Sequence, residues 1–153
     1  SIDHGHAFFS PIWNTDKINR LKSAIDDQAY YDWFINQILQ NNVGVFGLAN
    51  GLGEVFRAIE PNINLNDISN HSFQEVVARI ESITEDRIDR WLNNIPKEWF
   101  IAKQNQIPVY KNFILSQKSL VRNLLQCLAN RYAFSNYRGG VLEWKRERQV
   151  GTV

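Results

Sequence analysis

Pro108-Val109-Tyr110-Lys111-Asn112-Phe113-Ile114-Leu115-Ser116-Gln117-Lys118-Ser119-Leu120-Val121-Arg122-Asn123-Leu124-Leu125-Gln126-Cys127-Leu128-Ala129-Asn130-Arg131-Tyr132 is the longest periodic stretch of this chain. Tyr110, Phe113, Ile114, Val121, Leu124, Leu125, Leu128 and Tyr132 recur at helical spacing through about six turns, which predicts a long helix with one apolar face. Such a helix cannot stand alone in water with that face bare, so it predicts the spine of a bundle.

Working outward, the neighbouring segments supply partners for the spine. Ile95-Pro96-Lys97-Glu98-Trp99 puts proline where a first helical turn tolerates it, and predicts a short helix. Thr84 to Leu92 carries Ile88, Trp91 and Leu92 on one face. Ser72-Phe73-Gln74-Glu75 reads as a capping box, with Phe73, Val76, Val77 and Ile80 at helical spacing behind it. Ala29 to Leu39 brings Tyr30, Trp33, Phe34 and Ile38, and Asn14 or Thr15 caps a segment carrying Ile18, Leu21 and Ile25. Past Phe134 the chain is charged and broken by Gly139-Gly140, a tail or an added strand. At the other end Ile2 to Phe9 has the character of a strand and turn, ended by Pro11, which offers no ladder donor. The predicted fold is all-α: a strand and turn remnant over 1–13, a helical subdomain over 14–134, and a tail or added strand over 135–153. No internal repeat is present, which argues against a solenoid.

Composition bounds the function. The chain has 153 residues, 44% hydrophobic and 12% aromatic with five Trp, enough to bury roughly two thirds of its unfolded surface and too apolar for a disordered segment. Seventeen basic against sixteen acidic residues leave a net charge of +1, so no global field draws it to nucleic acid or an anionic membrane. One cysteine, Cys127, excludes an internal disulfide framework and fits a reducing compartment. No run of about 18 apolar residues and no secretion signal is present, so a cytoplasmic location is expected. The chain lacks methionine entirely, which points to a piece of a longer protein or a processed product, with Ser1 a cloning remnant.

The sharpest chemistry lies at the start. Asp3, two positions before Gly5, sits where a carboxylate at a strand end can bridge Mg²⁺ to phosphate oxygens while glycine permits the tight turn. Alone, Asp-x-Gly is an ordinary turn. Its setting, Ile2-Asp3-His4-Gly5-His6-Ala7-Phe8-Phe9 with a Pro11-Ile12-Trp13 exit and a helical remainder, resembles the HipA-like kinase family, relatives of phosphatidylinositol 3- and 4-kinases and protein kinases. Ile95 to Trp99 and the long helix with Tyr110 and Leu115 are similar to the family's closing helices, so the resemblance runs from Ile2 to about Phe134. It implies that Asp3 is a metal-binding aspartate, that Gly5 belongs to the same cofactor-binding turn, and that the bundle is the C-terminal subdomain of an ATP- and Mg²⁺-dependent phosphotransferase. The nucleotide-covering lysine, the loop over the phosphates and the catalytic loop would lie upstream, so no catalytic residue is expected in this chain and it should be inactive alone. Its partner would be the missing N-terminal kinase lobe, with self-association through apolar surface near Ile2, Phe8 and Phe9. The alternative is a noncatalytic α-helical protein-interaction module in which Asp3-x-Gly5 is accidental.

Other constellations are weaker. His4 and His6 with Asp3 could share a transition metal, but no fourth ligand is apparent beyond His71 or Cys127. Gly44, Gly47, Gly51 and Gly53 lead toward a possible helix at Glu54, yet lack a P-loop ending and read as close packing. Glu85, Asp86 and Asp89 among Arg87 and Arg90 read as a solvated helix face. Arg138-Gly139-Gly140, Trp144 and Lys145-Arg146-Glu147-Arg148 hint at nucleic acid, but the interleaved acids and near-neutral total argue against that contact.

Overall fold

The computed structural model describes residues 12–39, 58–100 and 103–145. Among these residues every regular element is helical, so the chain is an all-α bundle as the periodicity requires. α1 spans Thr15–Lys22, α2 Gln28–Leu39, α3 Gln74–Glu81, α4 Glu85–Asn93 and α5 Lys103–Asn130. Short 3-10 turns lie at Glu60–Asn62 and Lys97–Trp99. No helix among the described residues is long and apolar enough to cross a membrane. Asp3, His4, Gly5, His6, Phe8, Phe9 and the segment Val43 to Val55 lie outside the described residues.

Capping decides where the helices start. The Asn14 side chain accepts from the Lys17 N–H at 2.9 Å, and the Thr84 hydroxyl accepts from the Arg87 N–H at 3.3 Å, each interaction worth about 1 kcal/mol. The capping box at Ser72 does not form. The Ser72 hydroxyl instead accepts from the Asn64 N–H at 2.7 Å, and α3 begins later, at Gln74. α5 begins at Lys103 and carries Pro108 inside it, whereas the sequence reading started the helix at the proline. Proline forfeits one backbone bond there, and burial of Gln106 and Tyr110 on either side holds the turn in helical form.

The other end of α5 closes in a Schellman motif: the Tyr132 N–H donates to the Ala129 carbonyl at 2.9 Å and the Ala133 N–H to the Leu128 carbonyl at 3.1 Å. Tyr132 takes the left-handed position at φ 55°, where glycine is the usual occupant.

The chain divides into two compact units, one drawn from Ser1–Tyr30 and Ser82–Leu120, the other from Tyr31–Glu81 and Val121–Val153. The first is built on Leu21, Ile88, Leu92, Phe100 and Tyr110, with Trp13, Ile83, Ile95, Phe113 and Ile114 packed around them. Each large side chain fully buried there contributes about 1.5–3 kcal/mol. Lys17 is buried in this unit, its ammonium 5.9 Å from the Trp13 ring centre and 5.4 Å from that of Tyr110, so two aromatic faces replace part of its hydration.

The second unit buries Ile35, Leu65, Val77, Leu128, Phe134 and Leu142, and fastens its loops with amide side chains rather than strands. Asn136 accepts from the Leu65 N–H at 3.1 Å and donates to the Ile63 carbonyl at 2.7 Å. Gln126 accepts from the Leu142 N–H at 2.7 Å and donates to the Gly140 carbonyl at 3.2 Å. Gln74 accepts from the Lys145 N–H at 3.0 Å and donates to the Glu143 carbonyl at 2.6 Å. In each case one amide serves the carbonyl of a residue and the N–H of the next but one, as a neighbouring β-strand would. The carbonyls of Ile63, Gly140 and Glu143 and the N–H groups of Leu65, Leu142 and Lys145 thus find partners without a sheet.

Candidate interaction surface

In the first unit α4 turns Ile88 and Leu92 inward until both are almost wholly buried, because positions four apart share one helix face. Trp91, adjacent in sequence but rotated off that face, remains 45% exposed. The Arg87 guanidinium, one turn back, lies 5.0 Å from the Trp91 ring centre. Exposed stacking of this kind contributes about 0.5–1 kcal/mol and holds both side chains in place.

The 3-10 turn repeats the arrangement. Pro96 sets the entry, the Trp99 N–H donates to the Pro96 carbonyl at 3.0 Å, and the Phe100 N–H donates to the Lys97 carbonyl at 3.2 Å. The turn drives Phe100 into the core at 7% exposure and leaves Trp99 at 70%. An indole so placed keeps a large apolar area in water without covering any of the core.

The carboxylates of α4 do structural work. Glu85 and Asp89 converge on the Lys111 ammonium at 2.6 and 2.8 Å, and their hydrogen bonds, Asp89 first, raise the lysine's pKa. They pair with α5 rather than with Arg87 and Arg90, and no proton-transfer pair arises. Elsewhere Glu81 grips Arg122 and Asp32 pairs with Arg131.

His71 is spoken for as well. Its Nδ1 accepts from the Phe73 N–H at 3.3 Å, which puts the proton on Nε2, 3.1 Å from the Glu143 carbonyl. The ring packs edge-on against Trp144, 4.7 Å between centres, and burial pushes its pKa down. With both nitrogens engaged by backbone it is no metal ligand. Trp144 also lies under Arg122, 5.2 Å from its ring centre, and is therefore no open stacking platform for nucleic acid.

The chain matches no family model, no curated protein and no solved structure. The kinase terms of the sequence reading, namely HipA-like, transferase, ATP-binding and magnesium, are corrected accordingly. No known protein supports them, and among the described residues no group of three or more His, Cys, Asp or Glu could hold a metal ion. The physical reason is visible in the ion pairs: Asp32, Glu81, Glu85 and Asp89 are separately committed to basic partners. Asp3 and Gly5, to which the metal and cofactor roles were assigned, lie outside the described residues.

Sequence reasoning missed the Trp91 and Trp99 surface because it put Trp91 on the apolar face with Ile88 and Leu92 and read Trp99 only as part of a short helix. One signal was available. Arg87 and Trp91 stand four apart, the spacing at which a cation stacks on a ring at a helix surface, and Ile88 and Leu92 already fill the inward face.

Proposed function

We propose that this chain is a noncatalytic α-helical protein-interaction module whose contacts are made by Trp99 and by the Trp91 and Arg87 stack. The observation that carries the reading is the 70% exposure of Trp99 on a turn whose next residue is buried. Tryptophan and arginine dominate the energetics of protein interfaces, where a few such side chains account for most of the affinity. A partner suited to them offers an apolar pocket for the indole and an acceptor for its N–H. The all-α fold itself selects no activity.

The test places a photo-crosslinking amino acid at position 99, and at exposed Glu75 as control, in cells expressing the chain. A discrete adduct from position 99, absent from position 75 and lost with Trp91→Ala, is the expected result; its mass identifies either a second copy or another protein. Trp99→Ala should weaken binding to that partner by about 30-fold. Equal labelling at both positions, or Mg²⁺-dependent ATP turnover abolished by Asp3→Asn, would overturn the reading.

A further inference from the structure

The second unit contains a recess of 310 Å³ lined by Asn130, Tyr132, Tyr137, Arg138, Gly139 and Gly140, within the size range of small-ligand sites. Two of its acceptors are already taken. The Gly140 carbonyl receives the Tyr137 hydroxyl and the Gln126 amide, and the Asn130 Oδ1 receives Gln126 Nε2 at 2.8 Å. Its donors are open. Among the described residues no acceptor meets the Arg138 guanidinium, the Asn130 Nδ2, or the N–H groups of Gly139 and Gly140. Both glycines have positive φ, 96° and 102°, and a Cβ at Gly139 would meet nothing within 4 Å, so the backbone there can be approached closely.

We propose that this recess binds a carboxylate, with Arg138 as the charged partner, the Gly139 and Gly140 N–H groups as further donors, and the Tyr132 ring against the group that bears the carboxylate. A guanidinium and two backbone N–H groups without protein acceptors suit an anion, and the planar guanidinium fork matches a carboxylate two oxygens at a time. A monoanion fits better than a phosphate dianion. Among the described residues Arg138 is the one cation lining the recess, and the carbonyl end of α5 disfavours each added negative charge. Tyr132 is 85% exposed, so its ring is open to a ligand. The proposal is independent of the Trp91 and Trp99 surface.

The full chain, labelled with ¹⁵N, is titrated at neutral pH with N-acetyl-phenylalanine, its amide, a peptide ending in Phe as acid and as amide, and inorganic phosphate. The Gly139 and Gly140 amide resonances should shift saturably with the acids and not with the amides. Arg138→Gln should raise Kd at least about 10-fold with the melting temperature unchanged, because Arg138 holds nothing else in place. Tighter binding of the peptide acid than of N-acetyl-phenylalanine identifies a chain terminus as the source; equal binding identifies a small organic acid. Equal shifts from acid and amide, an unaltered Kd in Arg138→Gln, or phosphate binding more tightly than the acids would overturn the proposal.

Discussion

Tyr132 is a costly residue for its position. A side chain at left-handed φ costs about 1–2 kcal/mol relative to glycine, and 85% exposure leaves little packing to offset it. Tyr132→Gly should therefore raise stability by up to about 1 kcal/mol, after glycine's greater freedom in the unfolded chain is subtracted; denaturant titration measures it, and a loss of stability would show packing that exposure does not reveal. His71 makes the opposite kind of statement. Its folded pKa is held below 6.5 by burial, so its contribution to stability is complete above about pH 6.5 and is lost as pH falls through the folded value. The melting temperature should drop between pH 7 and 5, and His71→Gln should flatten that drop. None of this was legible at residue scale in the sequence, where His71 was a spare metal ligand and Tyr132 the last member of an apolar stripe.

The helices themselves were legible where apolar spacing and a local cap agree. α1 starts behind Asn14, one of two caps the sequence offered there, and α4 starts behind Thr84, which the sequence reading took as the first residue of the segment. Ser72 was misread because a distant donor, the Asn64 N–H, claims its hydroxyl, and no local rule registers such competition. The segments 63–65 and 140–145 were opaque for the same reason, since their backbone partners are Asn136, Gln126 and Gln74, some of them more than 70 positions away. Gln126→Met keeps the length of the side chain and removes its amide. It should cost about 1–3 kcal/mol by leaving the Leu142 N–H without its acceptor. Faster hydrogen exchange at Leu142 than at amides of α4 is the local readout, and unchanged exchange there would mean that water replaces the clasp without loss.

At the scale of the whole molecule, composition foretold a folded chain with a substantial core, and the described residues bear that out as two cores rather than one. Ile88 anchors the first and Leu65 the second, both at 0% exposure. Truncating either to alanine should cost about 2–5 kcal/mol, a large part of the 5–15 kcal/mol typical of a domain. Hydrogen exchange should report each loss in its own unit: α1 and α4 for Ile88→Ala, α3 and the 63–65 segment for Leu65→Ala. An equal loss everywhere in both variants would show that the units unfold as one. The surface that suggests a function, by contrast, could not be read from composition, because five Trp signal a core and an interface equally.

The three amide clasps also give the molecule a clock. Deamidation of Asn136, Gln126 or Gln74 turns a donor into an anion aimed at the carbonyl it had been holding, so ageing at warm, alkaline pH undoes the loops of the second unit from within while every apolar side chain stays chemically intact. Old preparations should therefore loosen first at these fastenings, and mass spectrometry of the earliest proteolytic nicks would find them beside a newly acidic residue.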